Sequence, residues 1–98
     1  MRHVRFDVAT LAIEQVSVPL KAAYLLVAEQ PGATELQWEC VAYAFDDAPI
    51  AEGRYRVDIA TLDGRVLGGA AVLVRSIAGT HVLRGDGELD GVSRADLR

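Results

Sequence analysis

The chain has one cysteine, one lysine and three prolines among its 98 residues, and few aromatic side chains. A single thiol excludes an intrachain disulfide framework and any multi-cysteine zinc site. Apolar runs are short as well. The strongest, Gly68 to Val74, falls far below the ~20 residues of a membrane-spanning helix. Near the N-terminus, Val8 to Ile13 is hemmed in by Asp7 and Glu14, so no signal-peptide core is expected there. No excess of positive charge exists either. The net charge of −4 argues against nucleic acid and against anionic membrane as partners. The unbridged thiol suits a reducing compartment, and the expected location is cytoplasmic. No phosphate loop, dinucleotide fingerprint, nucleophile elbow or His-x-x-x-His spacing occurs, so no catalytic residue, metal ligand or cofactor is expected.

Alternation is what the sequence does have. Apolar residues make up 51% of the chain, mostly Ala, Val and Leu, and they recur at every second position. Val4, Phe6 and Val8 fall on one side of the first segment, with Arg5 and Asp7 on the other. Ala22 to Glu29 and Glu35 to Phe45 flank a Pro31-Gly32 turn and read as a hairpin. A competing reading makes 20–30 a short helix, opened by Pro19 and ended by Pro31-Gly32. Cys40 shares a side with Trp38, Ala42 and Ala44 and reads as a small buried hydrophobe. The expected fold is all-β: a small antiparallel meander of about six strands, closed into a barrel or folded as a sandwich. Residues 1–92 form the single domain, and 93–98 a C-terminal tail that makes one helical turn or frays.

The second half carries the sharpest expectation. With Asp63-Gly64 as a two-residue turn, Leu62 faces Arg65. Tyr55, Val57, Ile59 and Thr61 then share the core side with Val66, Gly68, Ala70, Val72 and Val74. The other side holds Arg54, Arg56 and Asp58 with Arg65, Leu67, Leu73 and Arg75. A second turn at Ala78-Gly79 brings Arg84 to that side and sets His81 opposite Ser76 on the core side. Five arginines thus collect on one face. Guanidinium forks suit carboxylates and phosphates, so Arg54, Arg56, Arg75 and Arg84, with Asp58 and His81, are the candidate residues for a small anionic ligand. The bland reading is a solvated outer face. Gly68-Gly69 in a strand interior points to a bulge, a bend or a close backbone approach. Asp86-Gly87-Glu88-Leu89-Asp90-Gly91 has the opening of a calcium loop, but Leu97 stands where the bidentate glutamate belongs, so it reads as an acidic glycine-rich turn.

Charge is segregated. Ala22 to Gly53 carries six acids and no base, whereas Arg54 to Arg84 has a balance of +3. Such halves pair internally or across a two-fold dimer. Val41, Tyr43 and Phe45 oppose Trp38, Ala42 and Ala44, so this strand is apolar on both sides and must be covered twice. The leading expectation is a non-catalytic β-domain that forms a homodimer or binds a protein partner. The alternative is a barrel that binds a small molecule or anion, at the arginine face or in an apolar cavity left by its small residues.

Overall fold

A computed structural model of the chain describes residues 2–98. It consists of β1 (His3–Ile13), β2 (Val16–Ser17), β3 (Leu20–Ala28), β4 (Gln37–Ala44), β5 (Gly53–Thr61), β6 (Val66–Ile77) and β7 (Thr80–Gly85), followed by one 3-10 turn at Arg94–Asp96. The strands pair in the order β2-β1-β3-β4-β7-β6-β5, and β5 pairs again with β1. That last pairing closes six strands into an antiparallel barrel, with β2 as a short addition beside β1. Closure leaves no long unpaired edge among the described residues. The 45–52 connection carries the chain from β4 to β5, which lies beside β1, so the strands β1, β3, β4 and β5 form a Greek key.

Period-two alternation is the cause of this arrangement. Leu25, Cys40, Leu83 and Leu73 pair in succession across β3, β4, β7 and β6, and each is fully buried. Phe6, Leu11, Val27, Trp38, Val57, Ile59 and Leu67 complete the interior. Segment 20–30 is therefore no helix. Ala23, Leu25 and Val27 point inward from a strand paired on both sides, by β1 and by β4. A helix would have spread that alternation around its circumference.

The β5–β6 hairpin corrects the expected register. Gly53 pairs with Leu73 and Ala60 with Val66, and the Thr61 N–H donates to the Arg65 carbonyl at 2.9 Å. The loop therefore has three residues, Leu62-Asp63-Gly64, with Gly64 at φ 92°. A glycine in that left-handed conformation closes the three-residue hairpin loop. A one-residue slip exchanges the two sides of a strand. Leu67, Gly69, Ala71 and Leu73 consequently face the core, while Val66, Gly68, Ala70 and Val72 face outward. The Ala78-Gly79 turn has the expected pairing, Ser76 with His81, but a bulge between Leu73 and Arg75 shifts the rest of β6. Two slips of opposite effect leave Arg54, Arg56 and Arg84 on a common face.

Both glycines of β6 meet close approaches. Gly68 exchanges backbone hydrogen bonds with Asp90 at 3.1 and 2.7 Å. A Cβ at Gly69 would stand 2.6 Å from the Glu88 carbonyl oxygen. Residues 93–98 are docked: Leu97 belongs to the core, and Arg98 exchanges backbone hydrogen bonds with His3.

Candidate functional site

Residues in register form rows across the outside of the barrel. One row runs Leu26, Glu39, Arg84, Val72, Arg54. Arg54 and Arg84 therefore flank Val72, and Arg56 lies two residues further along β5. Each of these arginines already has a carboxylate. Arg54 Nε lies 2.7 Å from Asp86, Arg56 Nη2 3.4 Å from Asp58, and Arg84 Nε 3.7 Å from Glu39. Such exposed pairs contribute at most about 1 kcal/mol, but they neutralise the charge a ligand would need. Arg75 sits on the same surface with no ion-pair partner among the described residues. Arg65 leaves this face. Its guanidinium lies 5.2 Å from the Phe6 ring centroid at the barrel end, and Nη2 donates to Asp96 at 2.8 Å. Leu67 and Leu73, expected among the arginines, are interior, as is Ala71; Val82 is outside.

His81 is separated from the arginines by the barrel wall. It is 1% exposed and its Nδ1 lies 2.9 Å from Ser76 Oγ, the pairing expected from the turn. Ser76 Oγ also accepts the Ile50 N–H at 2.8 Å and keeps a proton and a second lone pair for the imidazole. With Nδ1 as donor or as acceptor, a neutral ring satisfies the contact. Burial lowers its pKa from the ordinary 6.5, which favours the same state. Among the described residues, no carboxylate is hydrogen-bonded to the ring. The pair clamps the 45–52 connection onto the β6–β7 hairpin, and its serine is committed to that bond rather than poised as a nucleophile.

The remaining candidates are structural. Cys40 is fully buried, and burial, with Glu39 adding to it, pushes its thiol up to about 12. A thiol so placed is inert. In the acidic turn, the Asp86 carboxylate is engaged by Arg54, and the Asp90 backbone pairs with that of Gly68. Among the described residues, no three acidic, histidine or cysteine side chains converge as a metal site. The main depressions open at the surface; one of about 450 Å³ lies at the barrel end between β1 and Arg65, Asp96 and Arg98. No described helix is long and apolar enough to cross a membrane.

What remains is apolar and outside. The row Ala22, Tyr43, Thr80, Ile77 lies beside the row Tyr24, Val41, Val82, Arg75. Tyr43 is 41% exposed, Ile77 58%, Val74 36% and Phe45 66%. Val41 between them is buried although it points outward. Double-sided apolarity in 41–45 signals half of this strip in the sequence. Of the other half, Val74 is expected on the core side, and the three-residue loop and the bulge in β6 place it outside; nothing in the sequence singles out Ile77. Aromatic residues share the outer face with arginines, and the Arg5 guanidinium lies 4.4 Å from the Tyr24 centroid. Compared with known protein families, characterised proteins and solved structures, the chain matches none.

Proposed function

We propose that this chain is a non-catalytic interaction module, a β-barrel that self-associates or docks on a protein partner through the outer face of β4, β7 and β6. The observation behind the reading is the strip of Tyr43, Phe45, Val74 and Ile77, large apolar side chains gathered where a barrel of this kind keeps polar ones. A closed interior packed with Leu, Val and Trp38 offers little to an apolar ligand. The arginine face has less behind it as an anion site, since of its four arginines Arg75 alone lacks a carboxylate among the described residues. A reducing, cytoplasmic setting accords with the single unbridged thiol.

Photo-crosslinking in the producing cell tests the proposal. A photoreactive phenylalanine analogue replaces Phe45, Ile77 or, as the control, Leu62, which is 70% exposed at the opposite end of β6. Adducts are expected from positions 45 and 77 and not from 62. An absence of adducts, or equal yields at all three positions, would remove the reading.

A further inference from the structure

Resting on that interaction face, we infer that its occupant is a second copy of this chain, related by a two-fold axis through the row of Tyr43 and Ile77. The argument is one of charge. Most of the cationic side chains are already matched: among the described residues only Lys21, Arg75 and Arg98 have no carboxylate within ion-pair distance. Lys21 lies over the Phe45 ring at 6.0 Å, at the end of the strip where the 45–52 connection begins. Arg75 alone flanks the strip on its inner side, in the row of Val82. The opposite border is the 45–52 connection, which carries Asp46, Asp47 and Glu52, also without cationic partners. This connection passes beside the β6–β7 turn, where a Cβ on Gly79 would stand 3.2 Å from the Asp46 carbonyl oxygen and 3.4 Å from Asp47 Oδ1.

From the barrel end inward, the surface therefore reads acidic, apolar, basic. Such a band is self-complementary. A two-fold axis through its apolar centre lays the acidic border of one copy on the basic border of the other, and does so twice. The apolar row supplies the buried centre, and the rim charges set the register and exclude the parallel arrangement. A partner of one charge sign would leave either Arg75 or the aspartates facing like charge, which is why the second copy fits better than an acidic or a basic protein.

Sedimentation of the purified chain from micromolar to submillimolar concentration reads the result. Reversible dimers weakened by salt are expected. Arg75→Glu alone, and Asp46→Lys with Asp47→Lys, each place like charges at both rim contacts and weaken the dimer about tenfold or more. Mixing these two variants makes both contacts attractive again, so a heterodimer forms where neither variant dimerises alone. All of these side chains are at the surface, and circular dichroism verifies that the variants fold. A wild-type chain that stays monomeric, a dimer indifferent to the reversals, or a mixture that fails to associate overturns the two-fold copy. If crosslinked adducts at position 45 then have a mass other than twice the chain's, the copy is wrong and the interaction face stands. If no adducts form, both are wrong.

Discussion

His81 couples the fold to pH through one buried ring. Its pKa in the folded chain lies below the ordinary 6.5 because burial disfavours the cation. The unfolded chain therefore takes up the proton first, and stability is complete above about pH 6.5 and declines as pH falls toward the folded value. Glu29, held low by Arg2 and Arg94, and Asp96, held low by Arg65, lose their contribution only below their ordinary values of 4.5 and 3.8. The two windows are separate. Urea denaturation should give a lower unfolding free energy at pH 5.5 than at pH 7.5, and His81→Gln should flatten that difference while keeping a hydrogen-bonding group opposite Ser76. An unchanged pH slope in the variant would show that the imidazole is not its source.

At the scale of the element, the register of β6 decides which residues make the core. Deleting Val66, which keeps the three-residue loop and Thr61 opposite Arg65, sets Leu67 opposite Ala60 and forces the two sides of β6 to exchange. Gly68, Ala70 and Val72 would then turn inward and Leu67 and Leu73 outward. Loss of cooperative thermal unfolding is the expected outcome, against a small effect for Val66→Ala, whose side chain is exposed. The same hairpin marks how far sequence alone reaches. In β5, Tyr55 to Thr61 alternates cleanly and its core side is legible. In β6, nine consecutive residues from Val66 to Val74 are apolar or glycine, so either side would serve and only the loop geometry chooses. The all-β barrel was legible because it needs only alternation and turns. The joining of its two halves, β1 with β5 and β4 with β7, was not, since long-range pairing leaves no local pattern. Ser76 opposite His81 was found because a two-residue turn fixes its near neighbours; the apolar strip was half found because a bulge does not announce itself.

For the whole molecule, the C-terminal residues complete the barrel rather than trail from it. Leu97 enters the core at 5% exposure, Asp96 holds Arg65, and Arg94 reaches Glu29 at 2.7 Å. Leu97→Ala should cost about 2 kcal/mol or more, as buried leucine truncations do, and lower the melting temperature by roughly 8 °C or more for a domain of this size. A change within about 0.5 kcal/mol, typical of surface positions, would mean that 93–98 is an ornament on an already complete fold.

Trp38 lies at that same closure. It is the chain's one tryptophan, 3% exposed, and its indole N–H donates to the Gly87 carbonyl at 3.0 Å. Gly85 passes so close that a Cβ there would collide with the indole nitrogen. The molecule thereby contains its own optical probe. Ultraviolet emission from this protein comes chiefly from a single dry indole, and its colour follows water entering beneath residues 85–91 rather than an average over many sites.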